Sequence, residues 1–292
     1  MTPLGELIKL NRPHLSDGSL KTYLANLRRI GVETPEDIEK VSDSEHVFKM
    51  LEDLKLNMKR NIISSILIII TASDGRKDLY ETYRERLFKL GQEYNAEMAK
   101  NEKSETQEKN WVKIDELRKI TKRMVKENPK AQNTLIAALY TMQPPTRLDY
   151  YSMEIVGPKE ELNDKKNYLV IHNTRRKVFV FNDYKTSAKY NEIRIPVSKE
   201  LNRFINKFLK LNPGRKYLLQ QNRAEKPLTR NALGKLIPVI FRDTGKNVTL
   251  NIIRHVYVSE KVDLAAVKQF QAIANCMMHS SAIQMTYNKG SD

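Results

Sequence analysis

Apolar residues recur at helical spacing through most of the first hundred positions. Leu20 and Leu27 belong to one such stripe, which follows Ser16-Asp17-Gly18-Ser19 and stops near Gly31. The run 62–70 is apolar at most positions but is shorter than the roughly 20 residues that span a bilayer. The pattern therefore predicts a small helical bundle with a buried central helix.

Two polar segments predict helix starts inside this bundle. Thr34 precedes Pro35, the order typical of a cap followed by proline at the first helical position. Ser42, with Glu45 three residues later, matches a capping box ahead of Val47. We expect a new helix to begin at each of these points.

The spacing of apolar residues changes in the second half of the chain. Short β-branched and aromatic runs at 168–171, 178–181 and 192–197 are separated by polar turns, which predicts a small antiparallel sheet. Helical spacing surrounds these runs, so the predicted fold class is mainly α with a small antiparallel β-sheet. The predicted helices are 114–124, 131–142, 201–211, 233–241 with Thr229 as cap, the run around Arg254, and 264–275 with Asp263 as cap.

A segment poor in large apolar residues separates the two patterns. Residues 96–110 contain Met98 and otherwise small, polar and charged residues. Charge changes across the segment too, since residues 1–110 contain 18 Lys and Arg against 19 Asp and Glu, whereas residues 111–292 contain 33 against 16. The sequence predicts a helical domain at 1–95, a linker at 96–110 and an α+β domain at 111–292.

The net charge of +16 therefore lies almost entirely in the second predicted domain. Such a concentration of cations favours a polyanionic partner, and nucleic acid above all. A membrane surface is the weaker alternative, because no basic amphipathic helix dominates the pattern. No secretory signal is visible, and the single Cys276 suits a reducing, intracellular compartment. We expect Cys276 and Met277 to lie in the core, and one cysteine with five histidines makes a structural zinc site unlikely.

Five residues of the second domain make up a plausible set for cutting a phosphodiester without a metal. Two guanidiniums can neutralise the non-bridging oxygens, a lysine can protonate the leaving 5′-oxygen, and a histidine can donate a further hydrogen bond. A tyrosine can attack phosphorus and conserve the bond energy, so that no ATP is needed. The candidates in chain order are Arg147, Lys185, Arg254, His279 and Tyr287.

In these residues the chain resembles the tyrosine recombinase/integrase family, the phage-integrase-like enzymes. Thr146-Arg147-Leu148-Asp149-Tyr150 resembles the first arginine box, and Tyr184-Lys185-Thr186 the hairpin lysine. Asn251-Ile252-Ile253-Arg254-His255 resembles the His/Lys-x-x-Arg box. Met278-His279-Ser280-Ser281, followed by Tyr287, resembles Gly-His-Ser-Ser and the terminal tyrosine. The segment after Arg254 is most similar to integrases of eukaryotic viruses and mobile elements.

The resemblance implies a helical core-binding (SAM-like) DNA-binding domain followed by a catalytic domain. It implies cleavage and rejoining of double-stranded DNA through a 3′-phosphotyrosyl intermediate, with no metal, ATP or other cofactor. Arg147 and Arg254 would hold the phosphate, Lys185 would be the general acid, Asn251 and His279 would donate hydrogen bonds, and Tyr287 would be the nucleophile. Working units would be homodimers on paired half-sites that join into a homotetramer, wherever in the cell the target DNA lies.

The sequence departs from the family pattern in three places. Asn251 stands where His or Lys is usual, and an amide cannot exchange a proton at neutral pH. Eight positions separate His279 from Tyr287 where nine is commoner, and five residues follow Tyr287. Because of Asn251, we expect slower chemistry. Because so few residues follow Tyr287, we expect either that other contacts hold the assembly together or that the chain is truncated.

Alternatives remain open for single residues and for the function. Lys189 and Lys177 compete with Lys185 for the lysine role. His255 is expected either to be structural or to support the residues that contact the phosphate, and Tyr257 is expected to lie in the core. A type IB topoisomerase-like enzyme would use the same chemistry without a second duplex. A catalytically silent DNA-binding derivative is the alternative that is not an enzyme.

Overall fold

A computed structural model describes residues 2–73, 76–221, 225–278, 280, 281 and 285. The chain divides into two units, Met1–Glu102 and Lys103–Asp292. The first unit is helical. Its elements are α1 (Pro3–Asn11), α2 (Asp17–Arg28), a 3₁₀ helix (Glu36–Val41), α3 (Ser44–Met50), α4 (Leu56–Ala72) and α5 (Lys77–Ala99).

The apolar helix α4 is the centre of the first unit, as its sequence predicts. It packs against α1, α2 and α5, and Ile62, Ile66 and Ile69 are fully buried. Tyr83 of α5 is also fully buried, and its hydroxyl donates to the carbonyl of Val41 at 2.9 Å. Burial of an aliphatic side chain stabilises a fold by about 1.5–3 kcal/mol, so this row of isoleucines holds the bundle together.

The helix starts of the first unit follow the predicted pattern only in part. Ser16 caps α2 by accepting from the amide of Ser19, and Gly31 has a positive φ of 76° just after that helix ends. Ser42 is not the cap of α3, because Asp43 accepts from the amide of His46 in its place. Thr34-Pro35 leads into the 3₁₀ helix, so the start predicted there is not that of an α-helix.

The segment 96–110 contains helix at both ends. Helix α5 continues to Ala99, and α6 (Glu105–Asn110) begins with a capping box between Ser104 and Gln107. The side chain of Asn110 is buried and accepts from the amide of Asn247 at 2.9 Å. The boundary between the two units falls inside the segment, and its last eight residues belong to the second unit.

The second unit combines helices with a four-stranded sheet. Its helices after α6 are α7 (Ile114–Glu127), α8 (Gln132–Thr141), α9 (Ser187–Tyr190), α10 (Lys199–Leu211), α11 (Arg230–Ile240), a 3₁₀ helix (Arg242–Thr244), α12 (Leu250–Lys261) and α13 (Leu264–Cys276). Its strands are β1 (Glu154–Val156), β2 (Tyr168–Ile171), β3 (Lys177–Phe181) and β4 (Ile193–Pro196).

The strands lie in chain order, β1-β2-β3-β4. The pairs β2–β3 and β3–β4 are antiparallel, with Tyr168 opposite Val180 and Phe179 opposite Ile195. Strand β1 pairs with β2 in parallel, so the sheet is mixed and not purely antiparallel. The predicted fold class, mainly α with a small sheet, is confirmed, and β1 is an addition to it.

The core of the second unit surrounds α8, whose residues from Thr134 to Thr141 are all buried. An aromatic cluster links α8 to the sheet. Tyr150 makes edge-to-face contacts with Tyr140, Phe179 and Phe181 at centroid distances of 5.6, 5.0 and 5.6 Å. Since Arg147 and Asp149 lie just before Tyr150, this cluster fixes the backbone on which they stand.

Helix α13 contradicts one expectation. Asp263 caps it as predicted, by accepting from the amides of Ala265 and Ala266. Its apolar residues are largely exposed, however, and so are Cys276 and Met277, which were expected in the core. Among the helices that the structure describes, none is long and apolar enough to cross a membrane.

Candidate functional site

A cavity of about 410 Å³ in the second unit brings two of the predicted residues together. Arg147 and Arg254 both line it, although more than a hundred positions separate them in sequence. Polar groups form one part of its wall and an apolar strip of the sheet forms another. The other lining residues are Thr146, Asp149, Phe181, Tyr184, Thr186, Tyr190, Ile193 and Ile195.

Arg147 follows the end of α8 in a turn that its own carbonyl helps to hold. That carbonyl accepts from the hydroxyl of the buried Tyr140 at 3.2 Å and from the hydroxyl of Thr146 at 3.1 Å. Tyr140 is fully buried, and burial raises its pKa well above the ordinary value. It therefore remains a neutral hydrogen-bond donor at any physiological pH.

Arg254 is positioned by the apolar face of α12. Thr249 caps that helix, and Ile252, Ile253 and Val256 are buried in the core. The side chain of Arg254 is half-buried on the face that borders the cavity. Two guanidiniums on one cavity suit a bound phosphate, because each offers several N–H donors in a planar fork.

The carboxylate of Asp149 lies beside these arginines and is 6% exposed. One of its oxygens, Oδ1, pairs with Nη2 of Arg230 at 3.2 Å. Burial raises the pKa of the Asp149 carboxyl, and the positive charges of Arg230, Arg147 and Arg254 act against that rise. Asp149 is thus a buried negative charge surrounded by three arginines.

Arg230 was not among the predicted site residues. It is the first residue of α11, directly after the Thr229 cap, and its side chain is half-exposed. A cap followed by arginine is a weak signal by itself. Arg230 pairs with Asp149, which lies 81 positions earlier in the sequence, and no local sequence pattern predicts a contact over that separation.

The loop that carries Lys185 joins β3 to β4 and borders the same cavity. Tyr184 and Thr186, on either side of Lys185, line the cavity, while Lys185 itself is exposed. The Tyr184 hydroxyl donates to the carbonyl of Asn191 at 2.6 Å and so closes the loop on itself. The structure therefore places Lys185 beside the cavity, between two residues that line it.

A buried amide, Asn167, fixes where this loop starts. Its Oδ1 accepts from the amides of Asn182 and Asp183, both at 2.9 Å. Its Nδ2 donates to the carbonyls of Asp149 and Asp183, at 3.0 and 2.8 Å. One side chain therefore ties the lysine loop to the backbone beside the arginines, and sequence patterns gave no sign of it.

The two competing lysines occupy other environments. Lys177 is 3% exposed at the start of β3, where Nζ donates to Oδ1 of Asn202 at 2.9 Å. Burial lowers the pKa of this amine. Since β3 rises about 3.4 Å per residue, Lys177 is about 13 Å from the strand end that reaches the cavity. Lys189 lies over the ring of Tyr190 at 5.2 Å.

Of the three remaining predicted residues, the structure describes one, Asn251. Asn251 is exposed in the first turn of α12 and is not among the cavity-lining residues. His279 and Tyr287 lie outside the described residues. His255 is exposed, and Tyr257 is half-buried against the core.

Comparisons with known proteins add a distant likeness. Neither a scan against protein-family models nor a search of curated proteins found a match. Among solved structures, the chain is similar to a structure described as the XerA recombinase, with 14% sequence identity and a TM-score of 0.37. The likeness covers 99% of this chain and 94% of that one.

Proposed function

We propose that this protein is a site-specific DNA recombinase of the tyrosine type. The observation that carries the proposal is the convergence of Arg147 and Arg254 on one cavity, bordered by the loop of Lys185. These are three of the residues whose motifs resemble the family. Two arginines without a shared role would not be expected to line the same cavity when more than a hundred positions separate them in sequence.

The proposed reaction proceeds in two transesterification steps. The phenolate oxygen of Tyr287 attacks phosphorus, and the bond from phosphorus to the 5′-oxygen breaks as that oxygen takes a proton from Lys185. The product is a 3′-phosphotyrosyl bond and a free 5′-hydroxyl. A 5′-hydroxyl of a partner strand then attacks the same phosphorus and gives its proton to the neutral Lys185, while the bond from phosphorus to the Tyr287 oxygen breaks and the tyrosine leaves as phenolate.

The guanidiniums of Arg147 and Arg254 would hold the non-bridging oxygens through both steps. They would stabilise the pentacoordinate transition state more than the ground state, because negative charge builds on the oxygens there and the guanidiniums are already in position. In this proposal Asn251 and His279 donate further hydrogen bonds, and Asp149 and Arg230 position the arginine pair. No metal or nucleotide enters either step.

The charge distribution supports double-stranded DNA as the substrate. Residues 111–292 carry 33 Lys and Arg against 16 Asp and Glu, and DNA binding releases counterions in proportion to the phosphates neutralised. We extend the proposal to homodimers on paired half-sites and homotetramers during strand exchange. The similarity to integrases of eukaryotic viruses and mobile elements remains a prediction from the segment after Arg254.

A supercoiled plasmid with two candidate sites separates this function from its alternatives. A recombinase yields deleted or inverted products, and a type IB topoisomerase-like enzyme yields relaxed plasmid alone. A silent DNA-binding derivative yields neither, although it retards the plasmid in a gel. Relaxation without exchange, for every pair of sites tested, would overturn the recombinase assignment.

A further inference from the structure

A row of cations covers the solvent face of α10. Lys199, Arg203, Lys207 and Lys210 are all exposed. At about 100° per residue they fall within about 80° of one another around the helix, and successive members of the first three lie about 6 Å apart along it. The opposite face of α10 is buried in the core through Leu201, Phe204, Ile205 and Phe208.

The tip of the β2–β3 hairpin adds two more cations beside this row. Arg175 and Arg176 are exposed in a turn whose shape is held by Asn173, since its Oδ1 accepts from both of their amides, at 2.8 and 2.9 Å. Asn202 of α10 donates to the carbonyls of Thr174 and Arg175, at 2.9 and 3.2 Å. The turn is therefore anchored along α10, on the stripe next to the row of cations.

The buried Lys177 also holds the hairpin against α10, from the side that faces the protein interior. Its ammonium donates to Oδ1 of Asn202 and of Asn206, at 2.9 and 2.5 Å, and these two residues are one turn apart on α10. Asn206 in turn donates to the carbonyl of Thr174 at 2.6 Å. The partners are amides and not carboxylates, so they place no negative charge beneath the surface.

The acids closest in sequence do not neutralise the surface. Glu200 pairs with Arg118 at 3.0 Å, and Glu192 pairs with Arg194 at 2.6 Å. Among the ion pairs that the described residues form, none includes any of the six exposed cations. The six residues Arg175, Arg176, Lys199, Arg203, Lys207 and Lys210 are called the α10 cationic surface below.

This surface is separate from the candidate site. The cavity is lined by Phe181 at one end of β3, whereas the hairpin tip lies before Lys177 at the other end, about 13 Å away along the strand. Strand β4 lines the cavity through Ile193 and Ile195 and then leads toward the start of α10. None of the six residues of the α10 cationic surface is among those that line the cavity.

We propose that the α10 cationic surface binds the phosphate backbone of double-stranded DNA, at a place other than the catalytic cavity. Regularly spaced, preorganised and unpaired cations suit a regular row of phosphates. An acidic protein partner fits less well, because protein interfaces are depleted of lysine and centred on aromatic or apolar anchors. Beside the cationic row, α10 exposes a single large apolar side chain, that of Leu211 at its C-terminal end, and no aromatic one.

The binding would be independent of sequence, because backbone contacts position DNA without reading bases. It would let one protein molecule hold a flanking or second duplex segment while the cavity holds another. This inference concerns binding alone and does not depend on the catalytic proposal.

The test is lysine footprinting of the full chain by acetylation and mass spectrometry, with and without a saturating random-sequence duplex. Lys199, Lys207 and Lys210 are expected to lose most of their reactivity when DNA is present. The protection is expected to persist in Arg147→Ala/Arg254→Ala, which disables the cavity. Unchanged reactivity with DNA bound would overturn the proposal, and so would protection that disappears in the cavity variant.

Affinity measurements give a second readout. Arg203→Gln/Lys207→Gln is expected to reduce the slope of log binding constant against log salt by about 1.8, since each phosphate contact contributes about 0.9. The charge-matched control is Lys119→Gln/Lys122→Gln, at exposed positions of α7, and it is expected to reduce the slope by less. Equal slopes for the two variants would contradict the proposal. Protection by polyglutamate but not by duplex would assign the surface to an acidic protein instead.

Discussion

The side chain of Asn167 donates a hydrogen bond to the backbone carbonyl of Asp149 at 3.0 Å, in a position where Asn167 is 1% exposed. Through its other hydrogen bonds the same amide holds Asp183, two residues before Lys185. Two parts of the candidate site that are distant in sequence thus share one buried anchor. We therefore predict that the lysine loop depends on a buried residue that cannot touch the substrate.

Replacing that anchor should loosen the loop and weaken the fold. Asn167→Ala removes four hydrogen bonds and leaves buried backbone groups without partners, so we expect a loss on the order of 3 kcal/mol in the free energy of unfolding. Amide hydrogen exchange should rise in the loop 182–192. The matched control Asn182→Ala removes amide bonds that are open to water, at 3.3 and 3.1 Å, and should cost less. Equal costs would contradict the anchoring role.

Asp149 should make stability depend on pH in an unusual direction. Burial raises the pKa of its carboxyl above the ordinary value of 3.8, so the folded protein binds this proton more tightly than the unfolded chain does. The contribution of this group to stability is largest at low pH and falls as the pH rises through the interval between the two pKa values.

Asp149→Asn removes this dependence. Its free energy of unfolding, relative to the wild-type protein, should increase as the pH is raised above 4 in urea titrations. Asp164→Asn, at an exposed position, controls for the loss of one negative charge. If the free energy of unfolding of Asp149→Asn relative to wild type decreased with rising pH, the arginines, and not burial, would dominate the carboxyl.

Replacing Arg254 by lysine should impair DNA cleavage if the planar guanidinium of Arg254 binds a phosphate through two N–H donors. Arg254→Lys keeps the charge and loses the bidentate donor geometry, so we expect DNA cleavage to slow by about 10²–10³-fold. Arg242→Lys makes the same exchange at an exposed position and should leave the rate unchanged. Full activity of Arg254→Lys would remove this residue from the site.

The first unit offers an independent stability test. Tyr83→Phe deletes the hydroxyl that donates to Val41 in the core and keeps the edge contact with Phe48, at 5.3 Å between ring centroids. The expected loss is about 1–2 kcal/mol in thermal or urea unfolding. Tyr80→Phe, on the same helix but only half-buried, should be close to neutral. A larger effect at Tyr80 would contradict the assigned role of the Tyr83 hydroxyl.

Local patterns in the sequence predict most of the helices, because caps and apolar spacing act within a few residues. Thr229 and Asp263 cap the helices predicted after them. Where two polar residues compete, the pattern fails by one position, as with Asp43 in place of Ser42. Strand β1 has three residues and pairs in parallel with a strand fourteen positions later, so nothing local marks it.

The residues of the candidate site also fall into those that local sequence patterns predict and those that they do not. Arg147, Lys185 and Arg254 belong to short motifs and can be found from sequence. Arg230 and Asn167 act through contacts that span 81 and 18 positions, so only the folded chain reveals them. The exposed position of Cys276 is another non-local property, because helical spacing alone cannot tell which face of a helix finds a partner.

The most direct test of the central claim is covalent trapping of the intermediate. The full chain is incubated with a pool of nicked suicide duplexes that carry randomised cleavage regions, and adducts are resolved by denaturing gel. We expect a protein–DNA adduct in which peptide mapping finds the 3′-phosphate on Tyr287, and no adduct with Tyr287→Phe. An adduct of equal yield in Tyr287→Phe would contradict the proposed nucleophile.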